Sequence, residues 1–86
     1  MTLDELRYHI DAIDEELVHL LNERARKAEL IGKEKKEQGL PITDEAREKD
    51  VIARAVGLNR GPLTDEAVEE VYRNIVRVCS DVQAKL

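Results

Sequence analysis

The sequence contains no Phe or Trp and only two Tyr, two Pro and one Cys among its 86 residues. With so few aromatic residues, the core must be built from Leu, Ile, Val and Ala. The lone Cys79 excludes an internal disulfide and is typical of a protein from a reducing cytoplasm. His9 and His19 are isolated and lack metal-ligand spacing, so we expect them on helix surfaces and expect no metal site.

Long apolar runs and an excess of positive charge are also missing. No apolar stretch approaches the roughly 18 residues of a membrane span, and nothing resembles a signal peptide. The formal net charge of -5 argues against binding nucleic acid or anionic membranes through bulk electrostatics. We therefore expect one cytoplasmic domain spanning 1–86, near the size at which a single core is only just sufficient.

Glycine and proline are concentrated at 39–41 and 57–62, and the three segments that they separate have helical periodicity. Thr2 and Glu5 form a capping-box pattern, in which Glu5 reaches back to the Thr2 amide. Two similar Thr-Asp-Glu-Ala phrases then predict a Thr N-cap before each later helix. The predicted fold is all-α, with helices from the capping box to about Gln38, from about Asp44 to Val56, and from about Asp65 to the end.

The first helix is very long and carries one apolar stripe. About 35 residues make a rod of roughly 50 Å, whereas the second helix spans only about 20 Å. Part of the stripe would therefore remain open to water within one chain, which favours a two-fold dimer with the long helices side by side. The stripe consists of Leu3, Leu6, Ile10, Ile13, Leu17, Leu20 and Ile31.

Charged and amide side chains interrupt the apolar faces. Arg24 and Lys35 continue the stripe of the first helix, and burying lone cations there is costly unless an anion meets them. The inward face of the second helix begins with Asp44, Arg47 and Glu48, and an apolar row of the third helix, Tyr72, Val76 and Cys79, continues into Gln83. These groups either pair locally and snorkel to the rim, or line a cationic pocket for a small dianion with hydroxyl or ether oxygens.

Five parts of the sequence together carry a resemblance: Leu6–Ile10, Ile13–Arg24, Gly32–Lys35, Pro41–Glu48 and the closing Gln83. In order and spacing, over nearly the whole chain, they resemble the all-helical family of chorismate mutases. The resemblance implies an intertwined homodimer with two equivalent active sites. It also implies conversion of chorismate to prephenate, on the route to Phe and Tyr, without cofactor or metal.

The resemblance further implies which residues bind the substrate. Arg24 and an Arg7 from the partner chain would hold its two carboxylates. Arg7 and Arg24 lie roughly 25 Å apart along one helix, which is too far for one chain to place both on one small molecule. Lys35 and Gln83 would donate to the ether oxygen, so that these four residues would carry catalysis.

Glu48 and the backbone amide of Asp44 would bind the ring hydroxyl, and Arg47 would line the same side of the pocket. Cys79 aligns where the family often has a hydroxyl near a substrate carboxylate, with Ser80 as its neighbour. The thiol is either a weak hydrogen-bond partner or a small core residue. The implied rearrangement is concerted and moves no proton, which accounts for the lack of a nucleophilic constellation.

Three alternatives remain open at this point. An isochorismate pyruvate lyase of the same helical family uses a similarly charged pocket. In a non-catalytic dimerisation or regulatory module, Arg24 and Lys35 would only set the register. The chain can also be the N-terminal part of a longer fusion, or associate with another shikimate-pathway enzyme: the opening aldolase-type synthase, prephenate dehydratase or prephenate dehydrogenase.

Overall fold

The computed structural model describes residues 1–85, and these residues form three α-helices without a strand. Helix α1 spans Leu3–Gln38, α2 spans Glu45–Leu58 and α3 spans Asp65–Ala84. The predicted all-α class is confirmed, and α2 ends two residues later than expected. Leu86, the last residue of the predicted third helix, lies outside the described residues. Among the described helices, none combines the length and apolar character that crossing a bilayer would require.

Helix α1 begins at the predicted cap, although the side-chain bonding differs from the expectation. The Thr2 hydroxyl accepts from the Glu5 backbone N–H at 3.1 Å, which satisfies one of the open donors of the first turn. The Glu5 carboxylate does not reach the Thr2 amide. It accepts instead from the Thr2 hydroxyl at 3.1 Å.

Gly39 ends α1 as predicted. Its φ of 69° is left-handed, a conformation that glycine adopts without the steric penalty of a Cβ. The Leu40 amide then donates to the Lys35 carbonyl at 2.8 Å, which closes the last turn. The chain leaves α1 sharply and turns back toward α2.

The two similar start phrases cap their helices at different residues. Thr64 caps α3 as predicted, its hydroxyl accepting from the Ala67 amide at 3.1 Å. In α2 the expected Thr43 cap is wrong: the Asp44 carboxylate accepts from the Arg47 amide at 3.0 Å. Aspartate is at least as good a cap as threonine, so the α1–α2 connection decides which residue is used.

Helix α3 packs against both other helices, whereas α1 and α2 do not contact each other within the described residues. A groove therefore remains between α1 and α2, with α3 as its floor. The core is built from small side chains, and Gly32 allows close approach of the α1 backbone. The buried apolar residues are Ala28, Ala55, Val76 and Cys79.

The N-terminal half of α1 extends beyond this packed region, giving the chain dimensions of 55 × 23 × 15 Å. Every residue from Met1 to Glu23 is exposed. The predicted open stripe is therefore confirmed for the single chain. Its large apolar members are between 47% and 61% exposed: Leu3, Leu6, Ile10, Ile13, Leu17 and Leu20.

Candidate active site

The groove between the three helices contains a cavity of about 230 Å³. Seven of the eight residues singled out from the sequence line it, all except Arg7. Helix α1 contributes one wall, the start of α2 with its preceding loop contributes the opposite wall, and the C-terminal half of α3 forms the floor. The lining residues are Arg24, Lys27, Ala28, Ile31, Lys35, Ile42, Asp44, Arg47, Glu48, Val51, Val76, Cys79, Ser80 and Gln83.

Lys35 connects the three sides of this cavity. It is half-buried on α1, and its Nζ donates to the Ile42 carbonyl at 2.9 Å and to Gln83 Oε1 at 3.4 Å. A lysine ammonium has three protons, and these two bonds use two of them. The third proton remains for a ligand, and the charge has only neutral oxygens as partners.

Gln83 is oriented by Lys35. The positive ammonium attracts the amide oxygen, so Oε1 faces Nζ and the Nε2 protons are directed elsewhere. Gln83 is half-buried on the floor of the cavity. The sequence prediction placed Lys35 and Gln83 on one ligand atom, and their side chains do lie next to each other. A charged and a neutral hydrogen-bonding side chain are therefore in contact at one end of the groove.

Arg24 and Arg47 line the same cavity without an ion-pair partner among residues 1–85. Local pairing of Arg47 with Asp44 or Glu48 is not observed in that range; Asp44 binds the Arg47 backbone amide instead. Ion pairs occur elsewhere, between exposed residues one helical turn apart. They are Glu69 with Arg73 and Arg77 with Asp81, and His19 Nε2 also lies 3.1 Å from Glu23 Oε1.

The start of α2 supplies hydrogen-bonding groups of both signs. Because Asp44 is the N-cap, its own backbone N–H lies before the first helical turn and has no protein acceptor within residues 1–85. The Glu48 side chain is half-buried, one turn further along the same wall. An amide donor and a carboxylate acceptor are therefore available together, as a hydroxyl group requires.

Cys79 and Ser80 both line the cavity from α3. Cys79 is 5% exposed and belongs to the small core between the helices, whereas Ser80 is half-buried. The packing role that was one of the two expectations for Cys79 is therefore observed. Cys79 also lines the cavity, so a weak hydrogen bond from its thiol to a ligand stays a prediction.

Arg7 is the one predicted residue that lies outside the cavity. It is exposed in the second turn of α1, and Arg24 follows it seventeen residues later on the same helix. At the rise of an α-helix that separation is roughly 25 Å. Arg7 does not line the groove of its own chain, and its role in the groove of a partner stays a prediction.

Sequence reasoning missed two polar groups of the site, one side chain and one backbone carbonyl. Lys27 lines the cavity, and the signal for it was present because it lies three residues after Arg24, on a neighbouring face of α1. The Ile42 carbonyl, which accepts from Lys35, could not have been found, because backbone carbonyls leave no mark in a sequence. With Lys27 included, four cationic side chains face two carboxylates in a chain whose net charge is -5.

The sequence and the fold agree with what is found in known proteins. Residues 6–84 match the family described as chorismate mutase type II. A bifunctional chorismate mutase/prephenate dehydratase from Aquifex aeolicus is 40% identical, over 98% of this chain and 24% of that protein. One from Neisseria gonorrhoeae is 44% identical, over 99% of this chain and 24% of that protein. This chain thus spans about a quarter of the length of these curated relatives.

Among solved structures, chorismate mutase (form II) from Thermus thermophilus superposes with a TM-score of 0.93 at 32% identity. The superposition covers 95% of this chain and 93% of that one, so the three-helix arrangement is shared from end to end. Sequence and structure point to one conclusion: the chain belongs to the chorismate mutase type II family.

Proposed function

We propose that this chain rearranges chorismate to prephenate in the cytoplasm, as a step toward Phe and Tyr, without a cofactor. The observation that carries the proposal is the groove itself, which gathers Arg24, Lys35, Arg47 and Gln83 without an ion pair among residues 1–85. Unpaired cations in a cavity lower their free energy by binding an anion, and chorismate carries two carboxylates.

The chemistry needs positioning and electrostatics more than acid–base groups. One carbon–oxygen bond breaks while one carbon–carbon bond forms, within the same molecule. The protein can hold the substrate in a folded, near-attack shape and stabilise charge that develops on the ether oxygen. We assign that second task to Lys35 and Gln83, because the third Nζ proton and the Nε2 protons are available at the same end of the groove.

The remaining residues bind groups that do not react. We assign one substrate carboxylate to Arg24, whose planar guanidinium suits bidentate contact. The ring hydroxyl is assigned to Glu48 and to the backbone N–H of Asp44, while Arg47 completes that wall. Cys79 contributes apolar lining or a weak hydrogen bond at the floor.

The second carboxylate is assigned to Arg7 of the partner subunit, in an intertwined homodimer. Two observations support this assignment. The apolar stripe of residues 3–20 is exposed in the single chain, although it has the pattern of a buried helix face. Arg7 lies on the same half of α1, roughly 25 Å from Arg24, so a second copy has to bring it to the groove.

The reaction is tested by separating the products of purified protein incubated with chorismate or with isochorismate. We expect prephenate from chorismate and no pyruvate from isochorismate; the reverse result would assign the lyase reaction. A bicyclic mimic of the transition state should also raise the melting temperature. A protein without turnover whose melting temperature is unchanged would be a dimerisation module, and the proposal would be wrong.

The shared site is tested by mixing two inactive variants, Arg7→Ala and Lys35→Ala. In a mixed dimer, one site receives the intact Arg7 from one subunit and the intact Lys35 from the other. Random exchange makes half of the dimers mixed, so activity should recover to about a quarter of the wild-type value. If Arg7 acted within its own chain, every site would contain one of the two substitutions and no activity would return.

We further propose that 1–86 forms the mutase domain and that a prephenate dehydratase acts beside it, fused or associated. The names of the two bifunctional relatives support this choice over the aldolase-type synthase or prephenate dehydrogenase. Sequencing the complete reading frame tests the fusion. Co-purification of tagged protein from its own host, followed by a prephenate dehydratase assay, tests association.

A further inference from the structure

Lys27 is a charged residue of the groove to which the proposed function gives no role. It lines the cavity from α1, next to the buried Ala28. Lys27 follows Arg24 by three residues, which places it about 60° around the helix and less than one turn along it. It precedes Lys35 by eight residues, or about 12 Å along the axis. Lys27 therefore lies at the Arg24 end of the groove, away from Lys35 and Gln83.

Lys27 is not held by its own helix. The carboxylate one turn before it, Glu23, is oriented toward His19, with 3.1 Å between Glu23 Oε1 and His19 Nε2. Among residues 1–85, no carboxylate lies within ion-pair distance of the Lys27 ammonium. A flexible, unpaired cation at the edge of a groove can turn toward an incoming anion with little loss of existing bonds.

We propose that Lys27 is a substrate-binding residue, which adds a second cation beside Arg24 at the carboxylate end of the groove. This inference rests on the proposed function, because it takes the ligand to be a dianion. A carboxylate that does not react keeps its charge from the bound substrate to the transition state. Lys27 therefore stabilises both states equally, and its contribution appears in KM and not in kcat.

The test compares two lysine variants of α1 with equal change in net charge. Lys27→Met removes the cation from the groove and keeps an unbranched side chain of similar length. Lys33→Met is the matched control, because Lys33 is exposed on the same helix and does not line the groove cavity. Lys27→Arg keeps the charge and should restore binding.

We expect Lys27→Met to raise KM for chorismate by about three- to tenfold, with kcat within about twofold of the wild type. Lys33→Met should leave KM within about twofold, and Lys27→Arg should return it to near the wild-type value. The KM difference between Lys27→Met and Lys33→Met should shrink as salt is raised, because an exposed charge contact is screened.

Equal KM values for Lys27→Met and Lys33→Met would overturn the inference, as would a fall in kcat at unchanged KM. So would a KM change that disappears when the protein concentration is raised, because Lys27 would then stabilise the dimer. Failure of the proposed function is a separate result, since wild-type protein would then form no prephenate. Sedimentation of each variant distinguishes a binding defect from a loss of assembly.

Discussion

The two halves of α1 continue one helical pattern, yet they differ in almost everything that surrounds them. In the N-terminal half, large apolar residues such as Ile13 and Leu17 are about half exposed. In the C-terminal half, the corresponding face presents Ala28 and the cations Arg24 and Lys35, and it packs against α3 around a cavity.

The difference shows how residue size and charge divide one helix between two tasks. Small residues at 28 and 32 let the α3 backbone come close, so this half belongs to the fold of the single chain. Leu and Ile in the other half would pack well, but no element of the described chain reaches them. We therefore interpret the N-terminal half as an assembly surface and the C-terminal half as a binding surface.

The largest expected effect comes from a charge in the exposed stripe. Leu17→Glu would bury two carboxylates in a symmetric interface, at about 3–5 kcal/mol per copy. We expect sedimentation to show only single chains at micromolar concentration, with no measurable turnover. Tyr8→Glu is the control, because Tyr8 is 72% exposed on the opposite side of α1. A dimeric, active Leu17→Glu protein would contradict the proposed assembly surface.

A substitution in the C-terminal half of α1 should abolish turnover and leave the dimer intact. Lys35→Ala removes the charged hydrogen-bond donor assigned to the ether oxygen, and we expect kcat to fall by about 10²–10³-fold. Sedimentation should still show a dimer, because Lys35 lies far along α1 from the exposed N-terminal part of the stripe, residues 3–20. Near-normal turnover by this variant would remove Lys35 from its assigned role.

The pH dependence of Gln83→Glu sharpens the assignment of the second donor. The introduced group donates to the ether oxygen only when protonated, whereas ionised it pairs with Lys35 and repels charge on that oxygen. A glutamate ordinarily titrates at about 4.3, and pairing with Lys35 favours its ionised form. Activity should therefore be low at neutral pH and rise only as the pH falls toward about 4. Wild-type protein serves as the control, because its amide donates throughout this range. A flat profile for the variant would contradict the assignment.

The smallest expected effect concerns the packing of the C-terminal half. Ala28→Leu adds volume where α1 lies against α3, and we expect it to lower the free energy of unfolding by about 1–3 kcal/mol. Ala53→Leu, at an exposed position of α2, should change it by less than about 0.5 kcal/mol. Urea unfolding followed by circular dichroism measures both. If Ala28→Leu and Ala53→Leu had equal free energies of unfolding, the packing of α1 on α3 at Ala28 would be looser than the structure indicates.

Much of the site could be predicted because helices repeat. The spacing of Arg24 and Lys35 on one face, and of Gln83 on the buried row of α3, follows from 3.6 residues per turn. The resemblance to the mutase family then named seven residues that do line one cavity. Lys27 was overlooked because a lysine beside an apolar face usually belongs to solvent, and no local signal shows which way its side chain turns.

The sequence by itself determined the all-α class, the length of α1 and its two ends, because caps and periodicity act within a few residues. Tertiary structure decided what local patterns cannot specify. It placed the cap of α2 at Asp44, because Thr43 and Asp44 are both suitable caps and local sequence does not choose between two such neighbours. It also brought Lys35 against Gln83, 48 positions away, because only packing of α1 on α3 joins such distant residues.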